Sequence, residues 1–320
     1  MVNLGTPEAP KPAAVGSYLW EFLSDPLVVD LPRWLWLPLL KLVIIPLRRR
    51  RSAEAYEKVW TKDGSPLLVL SRKLAERVQA ELGDEARVVL GMRYGEPSIQ
   101  AALEDLRGAG ADRLVVIPLY PQFSRTTTQT VVQGVTDSLR RIQWFPPVRT
   151  VQQYHDQPAW VSAVAGSIRR YREAHGEAEK LLFSLHGIPQ RYAEKGDPYA
   201  LQCQQSVAAI ANSLGIGPGE WLLSFQSRVG REPWLKPYTD FVLRDWAEAG
   251  IRTVQVVCPG FAVDCLETLE EIAMQNEELF RKHGGERLEY IPALNDSDDH
   301  VALMADLARH APSPAPAQED

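Results

Sequence analysis

The stretch Lys180-Leu-Leu-Phe-Ser-Leu-His186-Gly187-Ile188-Pro189 decides how this chain is built. Residues 180 to 186 form an apolar run of strand length, and Gly187 and Pro189 forbid its continuation, so a buried parallel strand ends at His186. In open α/β sheets, ligand crevices form at the carboxyl ends of the strands. A neutral imidazole at that edge can accept a proton or offer a lone pair to a metal. The bland alternative, a ring satisfied by a loop carbonyl, weighs about equally for an isolated strand-end histidine.

Outward from this strand, short apolar runs alternate with amphipathic stretches along the whole chain. Strands are expected at Val88–Met92, Leu114–Leu119, Val148–Tyr154, Leu181–His186, Trp221–Phe225, Thr253–Cys258 and Leu288–Pro292, with a first strand near Val2. Helices are expected at Leu67–Leu82, Ser98–Arg107, Thr127–Ile142, Ala159–Tyr171, Ala200–Leu214, Trp234–Ala249 and Asp264–Arg281. This alternation predicts an α/β protein with parallel sheets. The strand count suits two Rossmann-like, doubly wound lobes with a cleft between them better than one very wide sheet. The expected division is a first lobe over 1–155, a second over 156–297, a helix over 298–310 that returns to the first lobe, and a disordered Pro/Ala-rich tail over 311–320. The hinge is expected at the polar interruption Tyr154–Pro158.

A length of 320 residues is comfortable for two domains, and a net charge of −6 argues against nucleic acid as a general partner. Cys203, Cys258 and Cys265 form no CxxC pair, and an odd number fits a reducing compartment, so the cytoplasm is the expected location. The chain opens directly on its first strand without a charged region and apolar core ahead of it, which predicts no secretory signal and a first strand lacking a residue or more.

Residues 33–51 break the pattern, combining two tryptophans, many aliphatics, Pro38, Pro46 and four consecutive arginines. Lys41 and the two prolines forbid a bilayer span. Interfacial tryptophan and clustered arginine suit attachment to an anionic membrane surface; an apolar helix pair packed on its own lobe is an equal alternative.

A second constellation follows the strand ending at Cys258. Asp264 and Glu267 have the spacing of a capping box, which is the better reading on spacing alone. Glu267 and Glu271, and then Gln275, are four apart and share one helix face, so they can also form a polar track for a hard cation or its displaced protons. Gln226–Gly230, with Trp234 beyond, and in the first lobe Gly91–Gly95 and Pro118–Thr128, bring further polar and aromatic groups to strand ends. A broad, aromatic-walled, lightly polar pocket suits a large flat apolar ligand; no GxGxxG or P-loop is present to cradle phosphate.

Together these segments resemble the ferrochelatases, over nearly the whole chain. The motifs that carry the likeness are Val2-Asn-Leu-Gly-Thr-Pro7, Ser184-Leu-His-Gly-Ile-Pro189, Phe225-Gln-Ser-Arg-Val-Gly230 and Asp264-Cys-Leu-Glu-Thr-Leu269. The resemblance implies that ferrous iron is inserted into protoporphyrin IX between two Rossmann-like lobes. It implies that His186 and Glu267 are the catalytic and metal-handling residues, that Glu271 and Asp264 lie on a metal or proton path, and that Leu4, Arg93, Tyr94, Tyr120, Ser124 and Trp234 line the porphyrin site or its anchoring region. The stretch after Asp30 resembles a membrane-facing lip.

Two positions depart from the family pattern. Cys265 stands where many members have histidine, and Arg125 stands where some carry a cluster cysteine. With three cysteines and no cysteine-rich tail, no 2Fe–2S cluster is expected, and no other cofactor. Insertion of another metal such as cobalt or nickel, another tetrapyrrole such as coproporphyrin, and non-catalytic haem carriage are the alternatives. Oligomeric state is left open.

Overall fold

The computed structural model describes residues 1–230 and 232–311; of the tail expected over 311–320, Ala311 is described and buried, and the rest lies outside the described residues. In the first half, β1 (Val2–Gly5) is followed by α1 (Pro12–Leu23), α2 (Arg33–Leu39), a π-helical segment (Leu40–Ile44), α3 (Ile45–Val59), α4 (Pro66–Leu82), β2 (Gly91–Tyr94), α5 (Ile99–Gly108), β3 (Leu114–Val116), α6 (Thr128–Arg141) and β4 (Val148–Thr150). β1 pairs in parallel with β2, and β3 with β4. Val2 joins the two ladders: its N–H donates to Ile117 O at 2.9 Å, and its carbonyl accepts from Leu119 N at 2.8 Å. The spatial order is therefore β2-β1-β3-β4.

The second half supplies α7 (Pro158–His175), β5 (Lys180–His186), α8 (Gln190–Glu194), α9 (Tyr199–Leu214), β6 (Trp221–Gln226), α10 (Thr239–Glu248), β7 (Thr253–Val257), a longer π-helical segment (Glu267–Asn276), α11 (Glu277–Lys282), β8 (Arg287–Ile291) and α12 (Asp298–His310). Its parallel sheet runs β6-β5-β7-β8. The two halves thus repeat one strand order although the sequence shows no repeat. In each, the first strand is flanked by the second and third, which creates a switch point at its carboxyl end. Gly5 ends the first such strand and His186 the second.

Interior strands read as apolar runs because both faces are covered: Leu181, Leu182, Phe183 and Leu185 are all sealed from solvent. One apolar core runs through both halves, from Leu74, Met92 and Leu119 to Phe183, Leu185 and Val257, with Val301 and Met304 of α12 between them. α12 lies against both α4 and α7. The connection read from sequence as a polar hinge is packed: Tyr154 and His155 are buried, and Tyr154 N–H donates to Pro121 O at 2.9 Å.

Residues 33–59 differ from the sequence reading in one respect. Pro38 and Pro46 do not break the stretch; helix continues through both. Proline at 46 removes a bond to the preceding turn and crowds its carbonyl, and the wide π turn over Leu40–Ile44 gives that ring room. The alternative of a stretch packed on its own lobe fails along one face, where Trp34, Leu42 and Leu47 are 76%, 73% and 74% exposed. Among the described residues no helix is long and apolar enough to cross a membrane.

Candidate active site at the carboxyl ends of the strands

The polar floor of the site begins at Ser184, whose hydroxyl donates to Gln226 Oε1 at 2.7 Å from the interior of β5. The other end of the same amide, Gln226 Nε2, donates to the carbonyl of Glu267 at 3.0 Å. A buried side-chain amide satisfied at both ends fixes what it joins. Here it joins the ends of β5 and β6 to the first residue of the long π segment.

His186 closes β5, half-buried. Its Nδ1 lies 2.7 Å from the carbonyl of Gly187. A carbonyl only accepts, so Nδ1 carries a proton, and in the neutral form of the ring the lone pair is on Nε2. The ring stands 6.5 Å, centre to centre, from both Trp234 and Phe261. Trp234 is itself anchored by its indole N–H, which donates to Val229 O at 2.9 Å. Gly187 is required for this packing: a Cβ there would stand 3.0 Å from Gln226 O and 3.2 Å from Trp234 Cε3.

Glu271 is gripped by Ser227. The Ser227 N–H donates to Oε1 at 2.8 Å and its hydroxyl to Oε2. Burial pushes the Glu271 carboxyl above the usual range; the Ser227 hydroxyl and the charge of His186 pull it back, and the charge of Glu267 pushes it up again. One carboxyl therefore feels both His186, at a strand end, and Glu267, at the start of a helix. The Glu267 charge acts on three first-half tyrosines. Burial raises Tyr18, Tyr56 and Tyr120, and the Glu267 charge adds to each. Cys265, where a histidine is common in the family resembled, is buried against Glu267 and raised for the same two reasons.

The remaining expected residues fall into two groups. The Tyr120 hydroxyl is buried and unpartnered, and Arg93, paired with Asp25 at 2.5 Å, leaves its Nε unpartnered. Leu4 packs on the cluster of α1 and α3 side chains that also receives Leu266. The other three are each engaged in hydrogen bonds elsewhere in the fold.

Asp264 does not join the acidic track: its Oδ1 accepts from Thr268, Tyr290 and the N–H of Ala293, and its Oδ2 from Asn295 at 2.7 Å. It also caps no helix; it ties the loop after β8 to the start of the π segment. Tyr94 is sealed in the core with its hydroxyl on Asp25, 2.9 Å away. Ser124 is likewise buried and donates to Asp197 at 2.9 Å, joining the two halves. Gln275, expected beyond Glu271 on the track, turns to Glu270 instead, at 2.6 Å. The sequence had placed Gln226 and Ser227 at a strand end without their partners. It gave no sign of Tyr18 or Tyr56, which lie on helices far from any motif.

Among the described residues no three His, Cys, Asp or Glu side chains converge into a metal cage. The three cysteines are buried and free. The chemistry available is an imidazole lone pair, a pair of interacting carboxyls and an aromatic surround.

Residues 1–311 match the model of the ferrochelatase family. The chain is 51% identical over 310 residues to a ferrochelatase of Nitrosococcus oceani, covering 96% of this chain and 84% of that one. It is 51% identical over 313 residues to a ferrochelatase of Edwardsiella ictaluri, covering 98% and 97%. Among solved structures it resembles SirB from Bacillus subtilis with Fe3+, with a TM-score of 0.56 at 12% identity over 76% of this chain and 88% of that one. The sirohydrochlorin chelatase SirB from a Bacillus subtilis subspecies, in complex with cobalt, gives 0.53 at 12% identity over 78% and 91%. At that identity these two likenesses concern the fold alone.

Proposed function

This chain belongs to the ferrochelatase family, and from that premise we propose that it inserts ferrous iron into protoporphyrin IX, giving protohaem and two released protons. The observation that carries the residue assignment is geometric: His186 pairs in register with Gln226, whose side-chain amide holds the Glu267 carbonyl at 3.0 Å, and the next residue, Ser227, holds Glu271 at 2.8 Å. The free porphyrin holds two N–H protons and directs its nitrogen lone pairs into the ring plane. A cleft that favours a bent ring exposes those lone pairs and lowers the barrier to metal entry. His186, with its free Nε2, takes protons on one side of the ring. Glu267, backed by Glu271, brings the iron or takes a proton on the other. Tyr120, Arg93, Leu4 and Trp234 hold the macrocycle between the residue 1–155 and 156–297 lobes. The reaction as written needs no resident cofactor.

The test is metal insertion followed by porphyrin fluorescence. His186→Ala and Glu267→Gln are each expected to abolish turnover while porphyrin still binds. Full activity in either variant refutes the assignment.

We further propose a cytoplasmic enzyme resting on a membrane surface through residues 33–51. Support comes from the exposed apolar face of Trp34, Leu42 and Leu47 beside Arg48–Arg51. Such a seat favours the apolar protoporphyrin over coproporphyrin. Replacing Leu42 and Leu47 by glutamate is expected to abolish sedimentation with vesicles containing anionic lipid; unchanged sedimentation would refute the surface. Turnover of the two porphyrins with ferrous iron, with and without lipid, decides the substrate.

A further inference from the structure

The long π segment is held in its wide winding by two side-chain contacts that each span five residues. Gln275 Nε2 donates to Glu270 Oε2 at 2.6 Å, and Asn276 Nδ2 donates to the carbonyl of Glu271 at 2.9 Å. A five-residue spacing brings the side chains of Glu270 and Gln275 together on a π-helix and would separate them on an α-helix, while the Asn276 amide meets a main-chain carbonyl five residues back. These contacts therefore select the winding that sets where Glu267 and Glu271 point.

The other oxygen of Glu270 is held from outside the segment. Lys58 Nζ, near the end of α3, donates to Glu270 Oε1 at 2.8 Å, and the Glu270 side chain is only 4% exposed while that of Lys58 is 54% exposed. Glu270 gives the ammonium a hydrogen bond and a charge partner that raise the Lys58 pKa. Two residues before Lys58, buried Tyr56 of the same helix meets the Glu267 charge. α3 thus reaches the π segment at two points, and it continues directly from the exposed apolar helix. An exposed ion pair between two surface side chains would contribute little. This pair differs because its acid is buried and both carboxylate oxygens are engaged.

We propose that Lys58 and Glu270 are positioning residues for metal insertion: the pair fixes the π segment against α3 and so sets the aim of Glu267 and Glu271. The proposal rests on the assignment of Glu267 as a reacting acid. Neither Lys58 nor Glu270 is asked to touch the porphyrin or the metal. Loss of the pair lets the segment shift while the macrocycle pocket, built by other residues, stays in place.

Steady-state zinc and iron insertion by the full chain tests it, with Lys58→Met, Glu270→Gln, Lys58→Arg and Glu267→Gln measured together. The expected result, measured at a temperature where each variant is folded, is a fall in kcat of about tenfold in Lys58→Met and Glu270→Gln with KM for porphyrin within about twofold; Tm falls more in Lys58→Met, which leaves the buried carboxylate without its cation, than in Glu270→Gln. Lys58→Arg, which keeps the charge and a donor, is expected to recover most of kcat. The losses in Lys58→Met and in the double variant Lys58→Met/Glu270→Gln should be nearly equal, since either change breaks the same contact. If both single variants keep kcat within about twofold, if kcat falls only as Tm falls, or if Lys58→Arg is as slow as Lys58→Met, the pair is not a positioning device. Should Glu267→Gln remain inert in any of those cases, the acid assignment stands alone. A fully active Glu267→Gln overturns both.

Discussion

Ser227 and Glu271 form a two-point contact in which the backbone N–H and the hydroxyl of the serine take one carboxylate oxygen each, and Ser227 adopts a φ of +65° to make it. A left-handed conformation is rare for a residue with a Cβ, and it is sustained when surrounding contacts over-determine it. Here the carboxylate supplies those contacts, between the end of β6 and the π segment.

Removing the hydroxyl should therefore move a proton equilibrium. The Ser227 hydrogen bond opposes the rise that burial imposes on Glu271. Ser227→Ala is expected to raise that carboxyl further and shift the acid limb of the insertion-rate profile upward. An unmoved limb would separate Glu271 from the proton or metal path.

The same raised carboxyl fixes a sign for stability. Glu271 in the folded chain ionises above the pH at which it ionises unfolded, so between those values the unfolded chain binds fewer protons and stability falls as pH rises. Glu271→Gln should thus raise Tm relative to the parent by more at pH 7 than at pH 4. An equal difference at both pH values would contradict the raised carboxyl.

His300 carries the opposite sign. Burial lowers its pKa to about 4, against an ordinary value of 6.5, while Nδ1 lies 2.6 Å from Asn295 O. The unfolded chain takes up the proton first as pH falls, so up to about 3 kcal/mol of stability is lost between pH 6.5 and pH 4. In His300→Asn the fall of Tm across that window should be markedly shallower.

Asp264 is expected to behave as a structural residue. Asp264→Ala leaves Tyr290, Asn295 and the Ala293 N–H without their acceptor, at a cost of about 3 kcal/mol. The loss should appear in Tm, with the rate per folded molecule falling far less than in Glu267→Gln. A variant of unchanged Tm and abolished turnover would return Asp264 to the metal path.

Gly187→Ala should act on the macrocycle. Its Cβ would crowd both Gln226 O and the Trp234 ring, and the partly exposed ring is the group able to move. A raised KM for porphyrin with altered tryptophan fluorescence is expected; unchanged KM would mean that Trp234 does not hold the ring.

The sequence by itself determined the parallel strands, the placing of His186 at a strand's carboxyl end and the family motifs. These are local matters: apolar runs, glycine and proline punctuation, and short ordered strings that need no knowledge of what lies opposite. Even so, β2 is displaced to Gly91–Tyr94 from the expected run, because its register is set by pairing with β1 rather than by its own hydropathy.

Only tertiary structure decided which polar residues meet. Asp264 and Glu267 stand in one short motif, yet Asp264 is turned to β8 and Glu267 to the tyrosines of the first half. An α-helical spacing put Gln275 beside Glu271, whereas the wider winding gave it to Glu270. The partners of Glu267, Glu270 and Glu271 come from α1, α3 and the end of β6, elements brought together by burial of a shared core. A carboxylate's partner is chosen by that packing, and no periodicity along a single segment encodes it.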